Sequence, residues 1–187
     1  MKSHTLSLIR GLNRILGIYR DCPRLLRGAE VGVLRGQNSK ELLKHYPQLQ
    51  LTMIDSGWGN EFRNKFEPCE VEKEAREKVA FAEGRYSIIT TPSPQCAADF
   101  EDESFDFVFI DADHTYDAVK ADIAAWWPKV RPNGVLAGHD YRSLMDRKGK
   151  FGVSQAVDEF VDEKRLSVEV HRGFVWIIQK HDTLSVV

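Results

Sequence analysis

The chain is expected to fold as an α/β domain, a doubly wound and mostly parallel seven-stranded sheet that closes on a C-terminal antiparallel hairpin. Three observations carry this. Phe105-Asp-Phe-Val-Phe-Ile110 is a dense apolar run with the length and aromatic/β-branched content of a strand buried on both faces. From residue 29 to residue 160, short apolar runs alternate with helical patterns, the arrangement of five βα units. The last two apolar runs are separated by little more than Arg172-Gly173, too short a connection for a parallel crossover.

The elements follow in order. Leu6, Leu8, Ile9, Leu12, Leu16 and Tyr19 recur at helical spacing, so residues 4–20 form a packing helix that Cys22-Pro23 ends. Residues 29–34 read as the first strand. Ser39 or Asn38 caps a helix over 40–45, which Pro47 closes. Residues 51–54 are the second strand, and 61–82 a charged helical stretch interrupted at Pro68. Residues 86–91 are the third strand and 105–110 the fourth. The helix over 116–127 turns Val119, Ile123 and Trp126/Trp127 inward. Residues 134–138 are the fifth strand, 141–151 a basic glycine-punctuated loop, and 153–160 a helix. Residues 167–171 and 174–178 form the hairpin. An N-terminal helical segment, 1–27, thus precedes a ligand-binding domain at 28–187.

Length and composition bound the function. At 187 residues a single domain has ample core without disulfides or metal staples. A net charge of −2 argues against nucleic-acid and membrane-surface partners. Cys22, Cys69 and Cys96 lack CxxC spacing, and no apolar run approaches the ~20 residues of a membrane span, so a cytoplasmic location is expected. The length leaves no room for an appended acceptor domain. A small-molecule partner, with a second copy of the chain completing the pocket, is therefore expected.

Residues just beyond the carboxyl ends of parallel strands are where open α/β sheets bind ligands. The fourth strand runs into Asp111, His114 and Tyr116, and the fifth into His139-Asp140-Tyr141, so two neighbouring strands deliver acids and imidazoles to one rim. The turn Glu30-x-Gly32-x-x-x-Gly36 lets the backbone approach a ligand, and the helix after it favours a polar or anionic group. It departs from the dinucleotide pattern GxGxxG, since position 34 is Leu. Asp55, at the end of the second strand, is placed to take both hydroxyls of a ribose, and Trp58 offers a flat face to a base.

Taken together, Glu30-Val-Gly-Val-Leu-Arg-Gly36, Asp55, the run Asp106–Tyr116 and Pro132-Asn-Gly-Val-Leu-Ala-Gly-His-Asp-Tyr141 resemble class I S-adenosylmethionine-dependent methyltransferases. The likeness is to the metal-dependent small-molecule O-methyltransferases of the catechol and macrolide-sugar type, and it covers residues ~28–179. The resemblance implies a Rossmann-like fold and S-adenosylmethionine as cofactor, with the methionine part held by Glu30, Gly32 and Gly36 and the ribose by Asp55. It places adenine against the loop after the third strand. There the usual acid is missing, and Ser93 is the candidate. Asp111 would touch both cofactor and metal. The resemblance also implies Mg²⁺ or Mn²⁺ held by Asp111 and by a pair after the fifth strand, either His139-Asp140 or Asp140-Tyr141.

Adjacent parallel strands lie ~4.8 Å apart, close enough for Asp111 and Asp140 to share a cation. Carboxylates suit a hard ion, and an imidazole shifts preference toward transition metals. An unperturbed imidazole titrates near ~6.5, so His114, beside Asp111, is a candidate catalytic base, with a metal-bound acceptor needing no base as its competitor. Rival readings are an idle cofactor-binding scaffold, a nicotinamide oxidoreductase disfavoured by the missing GxGxxG, and another activity on the same fold. The basic run Arg142, Arg147, Lys148 and Lys150 reads as a solvated loop.

Overall fold

The computed structural model describes residues 3–18, 23–57 and 68–182. Tyr19, Cys22, Trp58 and the helical expectation over 61–67 lie outside the described residues. The strands are β1 (Leu26–Val31), β2 (Leu49–Ile54), β3 (Tyr86–Ile89), β4 (Phe105–Ile110), β5 (Val130–Gly138), β6 (Glu169–His171) and β7 (Val175–Gln179). The α-helices are α1 (Ser3–Leu16), α2 (Gln37–His45), α3 (Pro68–Val79), α4 (Ser93–Cys96), α5 (Tyr116–Trp126), α6 (Leu144–Arg147) and α7 (Val153–Lys164). The strands form one seven-stranded sheet in the order β3-β2-β1-β4-β5-β7-β6. Pairings among β1 to β5 are parallel, and β7 runs antiparallel to both β5 and β6.

The central strand explains its own composition. All six residues of β4 are buried, because helices cover both faces. Phe107 and Phe109 pack with Leu8, Ile9 and Leu12 of α1, Leu42 of α2 and Ala75 of α3. Val108 and Ile110 face the opposite layer, with Val119, Ile123 and Trp126 of α5 and Val157 of α7. A strand with no solvent face has no position for an alternating polar residue. Because α1 belongs to the first of these cores, the boundary drawn at 27/28 falls inside β1, and residues 3–16 are part of the same packing unit.

Several expected boundaries move, each for a local reason. The first strand ends at Val31 rather than residue 34, because Gly32 (φ +88) and Leu34 (φ +53) leave the extended region and break the ladder. The following helix starts at Gln37, with Gly36 in left-handed conformation at its cap position and no side-chain cap. Asn38 and Ser39 are instead engaged by Glu30. The fifth strand starts at Val130 through an irregular stretch where pairing jumps from Phe105–Val130 to Phe107–Val135. Pro132, which has no N–H to donate, sits in that bulge. The basic loop contains a short helix, Leu144–Arg147, capped by the Ser143 hydroxyl on the Asp146 amide at 3.2 Å. The hairpin is antiparallel as expected, but its connection has three residues, Arg172, Gly173 and Phe174, the last two with positive φ.

One acid stands inside the apolar run. Asp106 of β4, with a side chain only 3 % exposed, pairs with Arg24 Nη1 at 2.7 Å and with Arg131, and accepts the Arg27 amide at 2.6 Å. It ties the approach to β1 and the start of β5 to β4, at the edge opposite the rim. Asp106→Ala should cost about 2–3 kcal/mol in chemical denaturation, mainly through the lost charge-assisted bonds and the unpaired amide.

Candidate active site

The strand ladder continues one residue past the strand ends. Asp55 N donates to Ile89 O at 3.0 Å, Gly32 N to Ile54 O at 2.8 Å, Asp111 N to Val31 O at 2.7 Å and His139 N to Ile110 O at 3.1 Å. Each site residue is therefore locked to the last carbonyl of its neighbour strand. Gly32 is required here. A Cβ on it would lie 2.2 Å from the Asp111 carbonyl oxygen and 2.6 Å from Ala112 Cα, and its φ is +88. Gly36, also left-handed, sits against Ala75 of α3 and away from the cavity.

Asp55 stabilises the turn between them. Its Oδ2 accepts the Val33 and Leu34 amides at 3.1 and 2.8 Å, and its Oδ1 accepts the Gly57 amide at 3.2 Å. Successive backbone N–H groups converge on one carboxylate, an anion-binding arrangement filled from within. Beside it opens a cavity of about 520 Å³ whose wall includes Gly32, Leu34, Asp55, Thr90, Ser93, Asp111, Asp113 and Asp122. That volume is in the range of small-molecule and cofactor sites.

At the other end of the rim, Asp111, His139 and Asp140 each present a ligand atom within 4.8 Å of the others. Asp140 adopts φ +62, uncommon for a residue with a Cβ, and this turns its carboxylate back toward β4. His139 Nδ1 lies 3.1 Å from Asp140 Oδ2 and 3.6 Å from Asp111 Oδ1. His114 Nε2 lies 3.0 Å from Asp140 Oδ2 and 3.4 Å from Asp111 Oδ1, yet is buried and out of line for a hydrogen bond to either. Its ring stacks on Phe151 at 4.5 Å. Tyr141 takes no part. It is buried, with its hydroxyl on Asp158 at 2.7 Å, so the pair after β5 is His139-Asp140.

The charges of this cluster balance one another. Burial lowers both imidazoles, but the two carboxylates outweigh it and hold His114 up at about 9 and His139 at about 10. Burial likewise raises the two acids, but the imidazoles outweigh it and hold Asp111 and Asp140 below the usual carboxylate range. His114 is thus not the unperturbed imidazole expected from its sequence context. The two nearby acids hold it above its ordinary value.

Residues 29–141 match the profile of the family described as a methyltransferase domain. The chain belongs to that family. With its sheet order and C-terminal antiparallel strands it is a class I S-adenosylmethionine-dependent methyltransferase. Similar solved structures include a putative caffeoyl-CoA O-methyltransferase from Staphylococcus aureus, with TM-score 0.67 and 16% identity, covering 97% of this chain and 85% of that one. The MycE methyltransferase of the mycinamycin pathway, in complex with Mg and SAH, has TM-score 0.64 and 17% identity over 95% of this chain. This methyltransferase spans 50% of the MycE chain. The N-methyltransferase NodS from Bradyrhizobium japonicum has TM-score 0.59 and 14% identity, with 94% and 97% of the two chains covered. No curated protein sequence matches.

The structure brings Gly32, Asp55, Ser93 and Asp111 of the methyltransferase onto one cavity and joins His114, His139 and Asp140 to it through Asp111. Glu30 stands apart. It is buried under the turn, its Oε1 accepting from Asn38 Nδ2 at 3.0 Å and its other oxygen bonded by the Ser39 hydroxyl. Two groups at the site were not foreseen from sequence. His4 of α1 approaches His139, ring centroids 4.7 Å apart, and no local pattern points to it. Asp122 of α5 lines the cavity while buried on the same helix face as Val119, Ile123 and Trp126. An acid inside that apolar stripe was the signal.

Burial, reinforced by Asp111 and Asp55, raises the Glu30 carboxyl from 4.5 to about 8 against the pull of Ser39 and Asn38. An acid raised on folding stabilises the folded state fully below its unfolded value and loses that contribution as pH rises toward its folded value. Glu30→Gln, neutral throughout, should therefore match wild type near pH 4 and exceed its stability by roughly 2–4 kcal/mol at pH 8. Denaturant titrations at both pH values check this. A pH-independent difference would show Glu30 ionised in the fold.

Proposed function

We propose that this methyltransferase moves the methyl group of S-adenosylmethionine to a hydroxyl of a small molecule, with a divalent cation held by Asp111, His139 and Asp140. The observation that carries the reading is that Asp111 belongs both to the cavity wall and to the three-ligand cluster. A donor in the cavity and an acceptor at the cluster would then meet at one residue. The presence of Mg and SAH in the MycE structure, and the O-methyltransferase name of the staphylococcal neighbour, agree with it.

The donor set fits a cation on its own terms. Two carboxylates and one imidazole converge within 4.8 Å. Oxygen ligands favour Mg²⁺ or Mn²⁺, with the imidazole shifting preference toward Mn²⁺. A cation there supplies positive charge that lowers the pKa of an acceptor hydroxyl.

The chain's own residues do the rest. The Gly32 turn and Asp55 fix the donor, and the ladder rungs keep that turn in register with Asp111. Asp111 and Asp140 would hold the cation beside the place where a hydroxyl proton must leave. His114, wedged between Phe151 and the two acids, orients the carboxylates rather than acting as the base. Rate then comes chiefly from alignment of acceptor oxygen, methyl carbon and leaving sulfur, and from acceptor deprotonation. A location in the cytoplasm and assembly with a second copy complete the reading.

Asp55→Ala should weaken S-adenosylhomocysteine binding by about 1.5–3 kcal/mol in calorimetry, through lost charge-assisted bonds to ligand and turn. Unchanged affinity would move the ribose site elsewhere. Methylation of a vicinal or sugar hydroxyl should fall with EDTA and return with Mg²⁺ or Mn²⁺, and Asp140→Asn should lose activity while still binding S-adenosylhomocysteine. Full activity in chelator, with Asp140→Asn unaffected, would make these acids structural.

A further inference from the structure

The far wall of the cavity is made by the segment after β3 and by α5. Pro92, Pro94 and Ala118 supply apolar surface there, suited to the faces of a flat ring. Asp122 projects among them. It is only 3 % exposed yet lines the cavity, and no cation pairs with it among the described residues. The charged neighbour that acts on it is another acid, Asp113. Burying a carboxylate without a counter-charge is costly, so a donor must meet it.

One donor comes from the protein. Trp126 Nε1 donates to Ser93 Oγ at 2.8 Å, and Ser93 Oγ donates to Asp122 Oδ1 at 2.6 Å. The indole is a donor only, so the serine hydrogen is committed to Asp122. This chain of bonds fixes the carboxylate plane and leaves Oδ2 without a hydrogen bond among the described residues. Ser93, although it lines the cavity, has its hydroxyl already engaged in both directions. Asp122 Oδ2 is therefore an acceptor at this wall free to read a ligand edge.

We propose that Asp122 accepts a hydrogen bond from the exocyclic amino group of the donor's adenine, selecting 6-amino over 6-oxo purine nucleosides. This rests on the reading that the cavity holds S-adenosylmethionine. An acid on a helix thereby replaces the acid absent from Thr91-Pro92-Ser93. The Ser93 and Trp126 bonds hold it in place before the ligand arrives.

The test compares S-adenosylhomocysteine with its deaminated analogue, S-inosylhomocysteine, by calorimetry on wild type, Asp122→Asn and Asp122→Ala. Wild type should prefer the adenosyl compound by about tenfold or more, since the 6-oxo group would oppose a carboxylate. In Asp122→Asn the Ser93 hydroxyl still claims Oδ1, which turns the amide N–H₂ toward the ligand. The preference should then vanish or invert. Asp122→Ala should bring the two affinities together, and it replaces the asparagine variant if that one does not fold. Equal binding of both compounds by wild type, or an unchanged ratio in a folded variant, overturns the assignment to Asp122 and leaves the donor reading standing. Binding of neither compound by folded wild type overturns the donor reading, and this assignment with it.

Discussion

Four backbone hydrogen bonds at the carboxyl end of the sheet set the geometry on which the rest of the site depends. Each takes the first residue beyond a strand and ties it to the last carbonyl of the adjacent strand, so Asp55, Gly32, Asp111 and His139 stand in one stepped row. The row closes only because position 32 lacks a side chain. Any Cβ there would collide with the Asp111 carbonyl. The Gly32 turn and the acid cluster are thus two consequences of one close approach between β1 and β4. Neither could shift without the other.

Five buried or half-buried acids illustrate what a carboxylate needs when it leaves water. Asp106 has two guanidinium groups and an amide. Asp111 and Asp140 have two imidazoles between them and are held ionised. Glu30 has only the neutral Asn38 and Ser39, and burial lifts it to about 8. Asp122 has only the Ser93 hydroxyl and rises to about 6 for the same reason. Imidazoles beside Asp111 and Asp140 hold those two acids low, whereas burial without a counter-charge raises Glu30 and Asp122. The first pair stands at the rim, the second under and beside the cavity.

Elements remote in sequence close the acid cluster. The start of α1 reaches His139 through His4, and the same helix start abuts the hairpin turn, where a Cβ on Gly173 would come within 3.0 Å of the Ser3 hydroxyl. Tyr141 N donates to Phe174 O at 3.1 Å, joining that turn to the end of β5. On the other side Phe151, from the loop before α7, covers His114. Packing of the first helix against the last hairpin therefore bears on the residues after β5, although none of these contacts is local in sequence.

What the chain determined by itself were the features with a local physical cause. Continuous apolar runs mark strands buried on both faces, a short Arg172-Gly173 connection forces antiparallel pairing, and residues just past strand ends must share a rim. The sheet, the place of Asp55, Asp111, His139 and Asp140, and the membership of one cavity by Gly32 and Ser93 were legible on that basis. Only the tertiary structure decided which neighbour each polar group meets. It turned Asn38 and Ser39 from helix caps into partners of Glu30, and it fixed His139 rather than Tyr141 beside Asp140. It gave His114 two carboxylates in place of a free lone pair, and it brought His4 and Asp122 to the site from helices whose sequence signals were those of packing. The reason is one of range. Periodicity and turn chemistry act over a few residues, whereas desolvation and charge pairing depend on groups that only the finished sheet and its two helical layers bring within 4 Å or so of one another.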